Sequence, residues 1–230
     1  MINPDLDFDE ISERYSVDRR VRIDNFLTQD TANDVLNSLQ QQATFDRIFF
    51  YQSRYHVFSD AKLEQLSATD RAALEQELLD QAAQGIGFDY RALRMDEANR
   101  AKAPQALRNL FDDMNSAGQL GRIQHLSGIP VLSADGQFTR YSAGHFLTRH
   151  SDRVAKERRR IAYVLNLTPR WHPDWGGMLQ FFQTNGVPRD AWEPRFNSLS
   201  LFDVSHIHSV TYVTPYAAGA RFALTGWYRD

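Results

Sequence analysis

The stretch YSAGHFLTRHSD, residues 141–152, decides how this chain reads. Its middle is strand-like, and side chains two apart on a strand point to one face. His150 and Asp152 therefore bring an imidazole and a carboxylate toward one point. Two imidazoles and one carboxylate on a single face suit an ion such as Fe(II), with the opposite coordination positions left open. A second histidine comes from SLSLFDVSHIHSVTYV, residues 198–213, where His206 and His208 are again two apart. Periodicity alone does not choose between them.

Working outward, strand-like runs cover about 129–141, 145–151, 160–167, 178–183, 198–204, 207–213 and 220–228. Short strands at such spacing point to a closed β architecture. Asp135-Gly136 reads as a hairpin turn, and TPRWHPDWGG (168–177) as a loop. Before Gly118 the texture is different. VRIDNF (21–26) alternates like a strand, and Thr28 is a candidate cap for the helix in TANDVLNSLQQQ. DRIFFYQSRYHVF (46–58) suggests a hairpin, and IGFDYRALRM (86–95) another strand. Ser67 and Asp70 have capping-box spacing ahead of Leu74, Leu78 and Ala82, and Gly85 suits that helix's end. Pro104 opens a further helix to about Asn115, and a short one runs to Ser127.

The expectation is one catalytic domain over 1–230. Residues 1–119 form a helical and strand support, and residues 120–230 a β core that carries the site. No repeat or linker separates the two halves.

Composition narrows the chemistry. The 230 residues carry a net charge of -3, which favours neither nucleic acid nor an anionic membrane as main partner. The chain has no cysteine, which excludes disulfides, thiolate-held metals and a thiol nucleophile. Its acidic opening lacks a secretory signal, and no stretch is long and apolar enough to span a bilayer, so a cytoplasmic location is expected.

In order along 120–230, the residues resemble the prolyl 4-hydroxylase-like branch of the Fe(II)/2-oxoglutarate dioxygenases. Tyr141, Gly144, Phe146, His150 and Asp152 look like the family's approach to its first two ligands, and RIAYVLNL (160–167) like the next strand. WGGMLQFF (175–182) is similar to a glycine-led core strand. NSLSLFD (197–203) precedes His208, Val210 and Val213, which resemble the distal-ligand strand, and Arg221 follows thirteen residues after His208. That register favours His208 over His206.

The resemblance implies a double-stranded β-helix, or jelly-roll, flanked by N-terminal helices. It implies Fe(II) held by His150, Asp152 and His208, with 2-oxoglutarate as cosubstrate, O2 as oxidant and ascorbate as a candidate reductant. Arg221 would clamp the cosubstrate's distal carboxylate through a planar fork that lysine lacks. Tyr141 and Thr225 are further hydroxyl candidates for cosubstrate binding, and core packing is the alternative for both. The implied reaction hydroxylates a prolyl or other protein residue, a free amino acid or a small metabolite, with succinate and CO2 as coproducts. An intact Asp152 argues against the related halogenases, which have a small residue there.

Other features have plainer readings. His145 lies an odd number of positions from His150 and should face away. His56, His125 and His172 have no motif behind them. KERRR (156–160) reads as a solvated turn before an acid-attracting patch. Phe49, Phe50, Tyr51, Tyr55, Trp171 and Trp175 are candidates for a lid or for core. The competing class is a cupin-like metal-binding or sensing barrel without turnover, which has no need of Arg221.

Overall fold

Along strand Arg221–Arg229, alternate side chains go to different places: Phe222, Leu224 and Tyr228 join a large helix-covered core, whereas Arg221, Thr225 and Trp227 line a cavity. The period of two in the sequence thus separates packing from site. The strand Arg159–Asn166 repeats the division, with Ile161, Tyr163 and Leu165 in that core and Ala162 and Val164 in a smaller cluster on the cavity side.

The computed structural model describes residues 1–154 and 156–230. Its elements are α1 (Phe8–Asp18), β1 (Arg20–Asp24), α2 (Gln29–Gln41), β2 (Asp46–Tyr51), β3 (Arg54–Phe58), α3 (Asp60–Glu64), α4 (Ala68–Ala83) and β4 (Phe88–Arg94). Then come α5 (Glu97–Arg100), α6 (Gln105–Met114), α7 (Ala117–Ser127), β5 (Ser133–Tyr141), β6 (Phe146–His150) and β7 (Arg159–Asn166). The chain finishes with β8 (Leu179–Phe182), β9 (Pro188–Trp192), β10 (Ser198–Asp203), β11 (Ile207–Val210) and β12 (Arg221–Arg229).

Twelve strands form one antiparallel system in the order β1-β10-β7-β12-β5-β4-β6-β11-β8-β9, with β2 on β4 and β3 on β2. The sheet curls into the expected jelly-roll core. Helices α1, α2, α6 and α7 cover one face; on α6, Leu107, Leu110, Phe111 and Met114 recur at helical spacing and are all buried. Strand β4 pairs with β2 along one edge and, along the other, with β5 and then β6. Strands β1 to β4 therefore belong to the same sheet as the strands after residue 119. No helix among the described residues is long and apolar enough to cross a membrane.

Four local expectations are corrected. Asp135-Gly136 is no turn but the interior of β5. Gly136 lies opposite Gly226, where an added Cβ on Gly226 would come within 2.0 Å of the Asp135 carbonyl oxygen. The glycines serve close strand approach. Thr28 precedes α2 but bonds the Thr31 hydroxyl and leaves the helix amides uncapped. Helix α1 was not anticipated; Asp7 caps it by accepting from the amides of Asp9 and Glu10. Strand β9 was also unexpected, its residues being mostly exposed and lacking an apolar alternation.

Candidate functional site

His150 is the last residue of β6 and His208 lies on β11, directly opposite it in the antiparallel ladder. Their ring centroids are 4.3 Å apart. Asp152 sits two residues beyond the end of β6 and meets both: its carboxylate oxygens lie 3.4 Å from His150 Nε2 and 3.5 Å from His208 Nε2. One ligand atom from each residue falls within 4.8 Å of the others, a grouping able to hold one metal ion.

The backbone aims both rings. His150 Nδ1 is 2.9 Å from the Thr148 carbonyl and His208 Nδ1 is 3.0 Å from the His206 carbonyl. With Nδ1–H donating in each, Nε2 is the nitrogen turned toward Asp152 and left to take a metal, and such outer hydrogen bonds fix the tautomer that a metal requires.

Burial shapes the charges. His208 is pushed down to about 4, first by burial and then by the neighbouring His150. For His150, burial works against the charged ring, but the hydrogen bond and charge of Asp152 outweigh it and lift its pKa. Burial opposes ionisation of Asp152 too, and the two histidines more than compensate, holding it below the usual carboxylate value. Two imidazoles and one carboxylate on one side, with open space opposite, fit Fe(II).

That open space is a cavity of about 530 Å³. In its wall Arg221 is only 3% exposed, and its Nε and one terminal nitrogen have no hydrogen-bond partner in the protein. Burial lowers its pKa to about 10, so the guanidinium still carries its charge at neutral pH. A buried cation with free donors is costly unless something anionic meets it. Tyr141 stands opposite Arg221 across the β5–β12 ladder, its ring 5.3 Å from the guanidinium carbon and stacked on Tyr90. Desolvation holds the Tyr141 phenol well above its ordinary pKa, so it is a hydrogen-bond donor. Thr225 lines the same cavity.

His206 is placed elsewhere. It precedes β11, and its Nε2 lies 2.8 Å from the Asp18 carbonyl. The equal spacing that left two candidates open breaks because Asp203 to His206 form a turn, so only the second histidine is on the strand. His145 turns away as expected and accepts from the Ser142 amide. His56, His125 and His172 bond outside the cavity, to Tyr51, Asp9 and the Asp174 amide.

Of the six lid candidates, Phe50 and Tyr55 line the cavity. Phe49 and Tyr51 pack instead with Leu74 and Leu78, and Trp171 packs against Trp175, its indole donating to the Gly176 carbonyl. Gly176 (φ +72°) passes so close to β11's extension that a Cβ would fall 1.9 Å from the Tyr212 carbonyl oxygen.

Arg159 and Trp227 were missed. Both line the cavity, the Arg159 guanidinium lies 3.5 Å over the Trp227 ring, and Arg159 Nε and Trp227 Nε1 are buried without partners. The signal for Arg159 was present in KERRR: its arginines alternate once β7 begins, and one of them must face inward.

A family model described as the 2OG-Fe(II) oxygenase superfamily matches residues 136–229. Prolyl 3-hydroxylase OGFOD1 of Mus musculus is 30% identical over 149 residues, which are 60% of this chain and 26% of that protein. Its Xenopus laevis counterpart is 31% identical over 170 residues, 67% of this chain and 31% of that protein. The chain thus spans less than a third of the length of these curated relatives. Among solved structures, a Pseudomonas putida prolyl-4-hydroxylase superposes with a TM-score of 0.66 at 21% identity, covering 97% of this chain and 99% of that one. A Trichoplax adhaerens prolyl hydroxylase, in complex with a hypoxia inducible factor peptide, gives 0.60 at 19% identity over 97% and 89%. At those identities the likeness establishes the fold.

Proposed function

On the match of residues 136–229 to the 2OG-Fe(II) oxygenase superfamily, we propose that the chain is a 2-oxoglutarate-dependent hydroxylase acting on a prolyl or other residue of a peptide. Succinate and CO2 are the coproducts. The single observation that carries the reading is Arg221, a buried guanidinium with unpartnered donors in the cavity that holds the His150, Asp152 and His208 cluster. A metal-binding barrel without turnover has no use for such a cation.

In this reading His150, Asp152 and His208 hold Fe(II), and the ion with its cosubstrate supplies the oxidising power that turns a C–H into a C–OH. Arg221 binds the distal carboxylate of 2-oxoglutarate with a two-bond fork. Tyr141 donates its phenolic hydrogen to the same carboxylate, and Thr225 offers a weaker hydroxyl from the same strand face. Leu147, Leu179 and Val210 line the cavity and exclude water from the cosubstrate. Phe50 and Tyr55 form the outer wall on which a peptide would rest.

The peptide substrate is favoured over a free amino acid by the curated relatives, which are named as prolyl hydroxylases. The 230 residues serve as one catalytic unit in this reading, since β4, from the N-terminal half, lines the cavity and pairs with both β5 and β6.

The test is anaerobic loading with Fe(II) and 2-oxoglutarate, then oxygen exposure with proline-containing peptides and free amino acids. Succinate release together with a one-oxygen mass gain on a peptide is expected. Stoichiometric metal binding with no succinate under any substrate would return the protein to the binding or sensing class.

A further inference from the structure

Next to the cavity is a second depression, of about 500 Å³, whose lining includes Arg19, Arg153, Arg158, Arg159 and Arg160. Asp203 and Asp230 oppose them there, and Glu157 pairs with Arg159. Arg160 pairs with Asp230, but Arg158 is 69% exposed with its Nε 3.3 Å from the same aspartate, and Arg19 reaches Asp203 only at 3.7 Å. Arg153 is exposed and takes part in none of the ion pairs among the described residues. Positive charge is therefore in local excess on a chain whose net charge is -3.

The depression adjoins the site. Arg159 lines both spaces, and Arg153 and Val154 follow directly on Asp152. A polymer with one residue beside the His-Asp-His cluster would run out over these arginines. Ile129, Val154 and Val204 give the groove an aliphatic floor.

Resting on the peptide-hydroxylase reading, we infer that this groove takes an acidic stretch of the substrate peptide, next to the residue that is hydroxylated. Aspartate and glutamate carboxylates match the arginine fork in geometry and charge. A nucleic acid fits less well. Asp203 and Asp230 interrupt the positive surface, and the lining offers no aromatic ring on which bases could stack.

The experiment uses the full chain loaded with Mn(II) and 2-oxoglutarate, which bind without turnover. Fluorescence anisotropy reports binding of a labelled peptide with a central proline flanked by glutamate runs, its glutamine twin, and a uridylate oligomer. The glutamate peptide should bind roughly tenfold tighter than the twin at low salt, as expected for several exposed ion pairs. That preference should shrink in high salt. Arg153→Glu/Arg158→Gln should abolish it, whereas Arg153→Lys keeps it; Arg153→Gln replaces the double variant if circular dichroism shows the latter misfolded. Equal binding of the two peptides, a preference that survives charge reversal, or tighter binding of the uridylate oligomer would overturn the proposal. If the acidic preference holds but no peptide stimulates succinate release, hydroxylation falls and the docking groove stands.

Discussion

His150 and His208 face each other across the β6–β11 ladder, and each is oriented by the carbonyl two residues before it, Thr148 and His206. The two metal-facing rings are thus held by the same backbone device, once on each strand. His206 contributes its carbonyl to this arrangement and not its ring.

That distinction gives the first prediction. His208→Ala should abolish Mn(II) or Fe(II) binding measured by anaerobic calorimetry, while His206→Ala should retain it within a few-fold. The reverse result would transfer the ligand role to His206.

Metal affinity should follow pH through one histidine only. His150 is raised above its ordinary 6.5 by Asp152 despite its burial, so it keeps its proton to higher pH than a free imidazole and the metal must displace it. His208, held at about 4 by burial, is already uncharged at neutral pH. Affinity should fall as pH drops through the raised value, with one proton released per ion bound below it. Release of two would show that His208 is also charged in the metal-free protein.

Arg221 should trade stability against function. Arg221→Ala or Arg221→Lys should weaken 2-oxoglutarate binding roughly 30-fold or more, since truncating one side of a buried ionic contact costs about 2–5 kcal/mol. Metal binding should change little. Arg221→Met should raise the Tm of the ligand-free protein by removing a buried charge without a partner. A lower Tm with unchanged cosubstrate affinity would remove the clamp.

Gly226→Ala should cost about 1–3 kcal/mol, because its Cβ would collide with the backbone of Asp135 and Gly136 across β5. In thermal unfolding this amounts to roughly 2–4 °C for each kcal/mol. An unchanged Tm would mean that β5 and β12 separate easily, contrary to their long unbroken register.

Much of this was legible in residue order. The seven strand-like runs became β5 to β8 and β10 to β12, because each is a short run with apolar, β-branched or aromatic residues to bury. The convergence of His150 and Asp152 was legible because residues two apart in an extended run share a face. Three features were hidden. Asp135-Gly136 carries a turn signal, but its glycine answers to a strand crossing from far along the chain. Strand β9 pairs only with β8 at an exposed edge, so burial leaves no pattern in its residues. Phe50 and Tyr55 differ from Phe49 and Tyr51 only in which side of the β2–β3 hairpin they occupy, and that depends on β4 packing beside it.

Strand β12 lies between β5 and β7, both made much earlier in the chain. During synthesis those two strands must wait, with an open slot between them, until residues 221–229 arrive. Such distant pairing is slow to form and leaves strand edges unprotected meanwhile. β12 is also the strand that brings Arg221, so the proposed cosubstrate clamp enters the sheet only when β5 and β7 are joined. A chain lacking residues 221–229 would hold both histidines and Asp152 and still lack that arginine, which ties the proposed activity to closure of this sheet.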